Sequence, residues 1–316
     1  MSRPTLIRMA IVLAAWVALA TFPQWSGFWE SSRFAAGIIR QILIFAIFAS
    51  SLNLLVGYAG LPSLGHAAFF GGGAYAAAIA AQRLGTDQLT VSLGAGMLAA
   101  ALLALLVGFL AVRALGIFFL MLTLALAQMV FAVAFQATEL TGGSNGFSGI
   151  RRPTLLGIDF SAASDLYLLV CVTFLLVVLL LWRLTTSSYG RALVGVRENE
   201  RRMRALGYDT RTVKLSAFVV AGAIAGIAGA LSSYEFRFVS PNDVGLGTSV
   251  TGFVMVLIGG AGTLVGPVLG AAVVLLIERV LPSQLPAQTV LGVVFILFVV
   301  FARQGVAGAL RKERRA

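Results

Sequence analysis

The sequence predicts an all-α fold, a polytopic transmembrane helical bundle of about ten spans, and three observations carry that prediction. First, 59% of the 316 residues are hydrophobic and 11% are charged, with a mean hydropathy of +0.97. An ordinary soluble domain holds roughly 45–50% apolar and 25% charged residues. Second, apolar runs of crossing length recur along the chain, and a helix needs about 20 such residues, with a usable range of roughly 17–25. Third, Lys and Arg gather in three places, as expected of short cytoplasmic loops. The net charge of +11 therefore reads as membrane topology and not as a nucleic-acid surface. Residues 1–316 form a single transmembrane domain on this reading.

In chain order the apolar runs are residues 6–22, 34–56, 63–81, 89–112, 116–136, 166–184, 215–235 and 288–301. Residues 247–281 are long enough for two further spans, but glycines interrupt them at Gly259, Gly260 and Gly262 and again at Gly266-Pro267. Arg3 and Arg8 precede the first run, residues 183–214 hold eight basic and three acidic residues, and Arg303, Arg311, Lys312, Arg314 and Arg315 lie beyond the last. Even numbers of spans separate these regions if residues 247–281 cross twice. Both termini, a loop at residues 185–214 and a basic tail at residues 303–316 then face the cytoplasm of a bacterial-type cell, with the spans in its inner membrane. Arg151 and Arg152 run against the rule, since parity puts residues 137–165 outside. Arg3, Arg8 and Ala18-Leu19-Ala20 resemble a cleavable leader, but the first run is long enough to cross and more spans follow, which favours its retention.

Composition also excludes chemistry. Cys171 is the only cysteine and lies inside an apolar run, so it reads as a small buried side chain. His66 is the only histidine, which leaves no expected metal site and no catalytic residues. No segment reads G-x-x-x-x-G-K-[ST], so the chain is expected to bind no nucleotide or other cofactor, and any ATP is used by a partner chain.

Two segments carry the functional information. In the cytoplasmic loop, Leu193, Val196, Met203 and Leu206 recur at spacings compatible with one helical face, charges fill most other positions, and Gly207 marks a C-terminal stop. Such a helix either lies on membrane lipid or docks into a partner's groove, and periodicity does not separate the two. The other segment runs from Asn53 to Tyr75. Gly57, Gly60 and Pro62 break a helix there, followed by Ser63, Gly65 and His66. Broken apolar segments line the pathways of many transporters. The alternative is a pair of tight cytoplasmic turns, because Gly57 to Gly60 and Gly259 to Gly262 share a Gly-x-Ala-Gly pattern that hints at an internal repeat. His66 is placed near the inner boundary, about one helical turn beyond Pro62, with a structural hydrogen bond to a neighbouring helix as its expected role. Gly222, Gly226 and Gly229 predict close helix approach, within the chain or at a subunit interface. Thr141-Gly142-Gly143-Ser144-Asn145-Gly146 reads as a turn-rich outer loop.

At these residues the chain resembles the branched-chain amino acid, or LIV-type, family of ABC importer permeases, especially its M-type member. The resemblance rests on Asn53-Leu54, Gly57-Tyr58-Ala59-Gly60 and Ser63-Leu64-Gly65-His66; on Thr141-Gly142-Gly143 with Gly146; and on Gly190-Arg191-Ala192, Arg197-Glu198-Asn199-Glu200 and Leu206-Gly207. It implies import of branched-chain amino acids or related small solutes. It also implies a second homologous permease, two cytoplasmic ATP-binding subunits and a periplasmic or surface solute-binding protein. By that similarity, residues 190–207 form the coupling helix. Arg191, Arg197, Glu198 and Glu200 are its expected polar contacts, Leu193 and Leu206 its docking face, and Asn53, Gly57, Tyr58, Gly60, Ser63, Gly65 and His66 the expected substrate pathway. Leu61-Pro62 and Met203 depart from the family pattern. An ion-coupled secondary transporter is the main rival, but no span presents an obvious buried acid: Glu235 and Glu278 fall at span ends.

Overall fold

The computed structural model describes residues 29–83, 88–114, 116–155, 158–280 and 292. The predicted first run, the basic tail and, residue 292 apart, the last run lie outside the described residues. Helix α1 (Trp29–Asn53) continues into a π-helical stretch, Leu54–Ala59. It is followed by α2 (Ala67–Arg83), α3 (Leu89–Ala111), α4 (Ile117–Gln136), α5 (Ala163–Thr186), α6 (Ser188–Ala205), α7 (Thr210–Phe236), α8 (Leu246–Gly259) and α9 (Gly266–Val280). Residues 35–59, α3, α4, α5 and α7 are each long and apolar enough to cross a membrane. The bundle is thus polytopic and helical, as its composition requires.

The centre is built on small residues. A Cβ on Gly222 would meet Ala104, one on Gly226 would meet Ala100 and the backbone of Gly96, one on Gly73 would meet the backbone of Gly226, and one on Gly229 would overlap the Phe70 carbonyl. Backbones of α2, α3 and α7 therefore touch, and the spacing read from the sequence serves an intrachain contact. Phe218 sits edge-on to Phe69 and Phe119 at 5.7 and 5.9 Å. Near the end of the bundle opposite α6, buried Arg40 of α1 grips Glu235 of α7 with Nε at 2.6 Å and Nη2 at 3.0 Å. Pairing with hydrogen bonds on both oxygens offsets the desolvation of the two charges.

One expectation is corrected. The run at residues 63–81 is helical only from Ala67, because Pro62 resists continuing the helix. Gly60 adopts φ +69°, and the Ala67 N–H is capped by Ser249 Oγ at 3.0 Å. Residues 61–66 are therefore non-helical. His66 is consequently fully buried beside Ser51 of α1.

Among the described residues, 247–280 form two helices, α8 of 14 residues and α9, described as far as Val280. At about 21 Å, α8 is shorter than the ~30 Å hydrocarbon core. At the end opposite α6, β1 (Phe147–Ser148) pairs antiparallel with β4 (Phe238–Val239), and β2 (Thr154–Leu155) forms a hairpin with β3 (Ile158–Asp159). The loop at residues 141–146 is turn-rich as expected, with positive φ at Gly142, Gly143 and Gly146.

Candidate functional site

At the α6 end, two breaks distant in sequence become one site. Asn53, almost fully buried, donates from Nδ2 to the Thr263 carbonyl and accepts from the Gly262 N–H, both at 2.8 Å. This clamp presses the two Gly-x-Ala-Gly turns together: a Cβ on Gly57 would collide with Gly262. Gly60 ends the π-helical stretch in the left-handed region, and the Arg197 side chain lies directly over it. The Arg197 guanidinium then donates to the Gly57 carbonyl. Sequence reading left pathway and turns open; here the first break lies in the π-helical stretch that Gly60 ends, the second turns at Ala261 and Gly262, and Arg197 of α6 bonds the first.

The remaining residues expected on a pathway are packed inside the chain. Tyr58 is half-buried beside Leu181 and Thr185. Ser63 Oγ accepts from the Gly65 N–H at 3.3 Å, and Gly65 abuts the Thr123 carbonyl of α4. His66 is fully buried, with Nε2 2.8 Å from Ser51 Oγ and its ring stacked on Phe48 at 5.5 Å. Its expected structural hydrogen bond is present.

Helix α6 has two parts. Gly190 turns tightly against Thr185, Leu193 and Val196 are buried, and Arg191 Nη1 reaches the Thr186 carbonyl at 3.3 Å. At Asn199 the backbone leaves the helix (φ −156°, ψ 92°), and the Asn199 side chain caps a new turn by accepting from the Arg202 N–H at 2.9 Å. The expected single face from Leu193 to Leu206 is therefore broken. Leu193 anchors the first part, whereas Leu206 is 66% exposed and Glu198 is also exposed. Gly207, at φ +87°, closes the second part: its N–H bonds the Arg204 carbonyl and the Tyr208 N–H bonds the Met203 carbonyl.

Glu200 ties this second part to α7. Its Oε2 accepts from Lys214 Nζ at 2.6 Å, and Oε1 accepts from Thr210 Oγ1 at 3.1 Å and Arg204 Nη2 at 2.9 Å. Burial alone would raise the carboxyl pKa. The hydrogen bonds from Lys214, Arg204 and Thr210, with the Lys214 charge, outweigh it and hold the pKa below the usual value. Lys214 and Thr210 were not singled out in the sequence.

The family described as branched-chain amino acid transport system / permease component matches residues 34–302. The chain belongs to that family. The permease is 33% identical over 307 residues to the high-affinity branched-chain amino acid transport system permease protein LivM of Escherichia coli (strain K12), covering 89% of this chain and 72% of that protein. LivM of Salmonella typhimurium (strain LT2) matches with the same identity and coverage. The autoinducer 2 import system permease protein LsrC of Yersinia pseudotuberculosis is 28% identical over 250 residues, or 73% of this chain and 70% of its own. No solved structure matches. The chain is accordingly a membrane-spanning transport subunit of an ABC importer and not itself a catalytic enzyme.

Proposed function

We propose that this permease carries branched-chain amino acids, or small solutes chemically close to them, across the cell inner membrane, with α6 as the element that receives the ATPase stroke. Its partners on this reading are one homologous permease, two ATP-binding subunits on the α6 side, a solute-binding protein on the other side, and the surrounding lipid. The chain itself holds no cofactor, and ATP belongs to the partners. The eight basic residues within 183–214 support a cytoplasmic α6, and both termini on the same side belong to this reading.

The observation that carries the reading is the Arg197 bond to Gly57. A displacement of α6 reaches the Asn53 clamp and both glycine turns through that side chain. It reaches α7 through Glu200 and Lys214. Leu206 and Glu198 stand free for a partner's groove, while Gly190, Arg191, Leu193, Asn199 and Gly207 shape the element that presents them. Asn53, Gly57, Tyr58, Gly60, Ser63, Gly65 and His66 then act as the gate whose rearrangement opens the path. Alternating access needs such a two-state element, since a ligand shifts only states it binds differentially.

The test is uptake of labelled leucine by the permease reconstituted in liposomes with its partner permease, ATPases and binding protein. Arg197→Ala is expected to lower ATP-dependent uptake about tenfold, equivalent to ~1.4 kcal/mol, while ATP hydrolysis persists. Uptake by this chain alone, driven by an ion gradient without ATP, would sink the reading. Glu235, the acid a secondary transporter would use, is already held by Arg40.

A further inference from the structure

The loop between β4 and α8 does not stand clear of the bundle. Its short 3-10 helix, Pro241–Val244, packs against both α2 and α4. A Cβ on Gly71 of α2 would collide with the backbone of Asp243 and Val244. Gly71 lies 12 residues before Arg83, the last residue of α2, or about 18 Å along that helix. Asp243 is thereby drawn in among apolar helices, where an ionised side chain is costly and is as a rule paired.

Asp243 is half-buried, and its bonds fall on one oxygen: Oδ2 accepts from the Ser240 N–H at 2.7 Å and from Ser240 Oγ at 3.3 Å. No lysine or arginine pairs with it among the described residues. The cap therefore accounts for one oxygen of the carboxylate and for none of its charge. Within electrostatic range of it stands the hydroxyl of Tyr75 on α2, a side chain only 5% exposed, and that hydroxyl has no hydrogen-bond partner among the described residues. Asn242, next to Asp243, is exposed, and α4 carries an exposed amide, Gln128, near its middle. Lipid offers an amide no hydrogen bonds, so the face of α4 that bears Gln128 is one that meets water or another protein.

We propose that Asp243 binds the ammonium group of an amino acid in transit, with the Tyr75 hydroxyl as donor to the same molecule's carboxylate. This rests on the importer reading above and narrows its substrate to zwitterionic α-amino acids, away from neutral solutes such as urea or amides. An unpaired carboxylate calls for a cation and an unmet hydroxyl for an acceptor, and an α-amino acid carries both on one carbon. A neutral amide supplies no cation to Asp243. Ser240 keeps one carboxylate oxygen, so the grip on the ammonium is left to the other, Oδ1, and is weak enough for the substrate to leave. In the present arrangement the Tyr75 hydroxyl is closed off, so its bond to the substrate belongs to the open state of the path.

The experiment uses the full importer in liposomes with leucine-loaded binding protein, and reads leucine uptake and ATP hydrolysis together. Asp243→Asn keeps an oxygen for the Ser240 cap and removes the charge. It is expected to lower maximal uptake about tenfold, with assembly, thermal midpoint and the half-saturating concentration of binding protein unchanged. Asp243→Glu should recover part of the loss. Tyr75→Phe removes only an unmet hydroxyl, so it should lower uptake about threefold while leaving the thermal midpoint in place or raising it. If Asp243→Asn fails to assemble, labelling decides. With Asn242→Cys in a Cys171→Ala chain, a cationic methanethiosulfonate is expected to react about tenfold faster than an anionic one of similar size. Full uptake by Asp243→Asn, or equal labelling rates, overturns the proposal, and full uptake by Tyr75→Phe overturns its second contact. A loss of uptake that Asp243→Glu shares in full, together with a lowered midpoint, also overturns it and leaves Asp243 as a cap alone. Absence of any ATP-dependent leucine uptake by the wild type would instead overturn the importer reading itself.

Discussion

The centre of the bundle and the junction around α6 are held together by opposite means. In the centre, Gly222, Gly226 and Gly229 bring backbones into contact, and no side chain can be exchanged for another arrangement. Around α6 the links are directional polar bonds: Arg197 to Gly57, Asn53 to the second turn, and Glu200 to Lys214. A close-packed interior transmits strain but resists rearrangement, whereas hydrogen-bonded and ionic links can break and re-form during a switch. The difference indicates where motion enters: through α6 and the glycine turns, into a centre that moves as a body.

The sharpest way to break this comparison is to enlarge a central glycine. Gly229→Leu is expected to destabilise the bundle by about 1–3 kcal/mol or more and to abolish a monodisperse complex on size exclusion. Gly94→Leu, where an added Cβ meets nothing, should leave it intact. Comparable damage from both substitutions would mean that the centre is not specially packed.

Next in size is the polar strut. Lys214→Met leaves Glu200, only 18% exposed, without its buried cation and with the exposed Arg204 alone, at about 1–3 kcal/mol, and uptake should fall further than thermal stability does. The strut also has a pH signature. Glu200 has a lowered folded pKa, so its contribution is full above the unfolded value of about 4.3 and lost as pH falls through the folded one. The gap in thermal midpoint between wild type and Lys214→Met should be constant above about pH 5 and should narrow below about pH 4. A gap that closes near neutrality would assign the pH dependence to another group.

The smallest effect is expected at Leu206. It is 66% exposed, so Leu206→Ala should change stability by no more than about 0.5 kcal/mol while weakening ATPase assembly in pull-down titrations. Loss of stability without loss of assembly would show that this residue is packed and not presented.

Much of the architecture was legible because its determinants are local. Runs of crossing length flanked by polar residues fixed α3 and α4 to within about one residue. Gly207 announced its own helix stop. The spacing of Gly222 and Gly226 announced a close approach, though not to α2 and α3. What stayed hidden depends on contacts across the chain. Residues 63–66 were read as part of an apolar run of crossing length, and α2 begins late because Ser249, 182 positions away, caps Ala67. Asn199 sits within Arg-Glu-Asn-Glu-Arg, a sequence that reads as continuous helix, and only its backbone angles reveal two pieces. The two Gly-x-Ala-Gly segments were visible as a pair, but nothing local says that Asn53 clamps them together or that Arg197 crosses to Gly57.

The Arg40–Glu235 pair carries a consequence for biogenesis. Its members are 195 residues apart, so at roughly 5–20 residues per second Arg40 leaves the ribosome on the order of 10–40 s before its partner. Through that interval an unpaired arginine five residues inside the span that begins at Ala35 is held in a membrane helix at some cost, below the roughly 2.5–3.5 kcal/mol that applies at a helix centre. The first helix therefore has reason to linger at the insertion machinery, or to ride high toward the lipid headgroups, until α7 is made. The early part of the chain is in effect provisional, and its membrane position is ratified by a residue translated near the end.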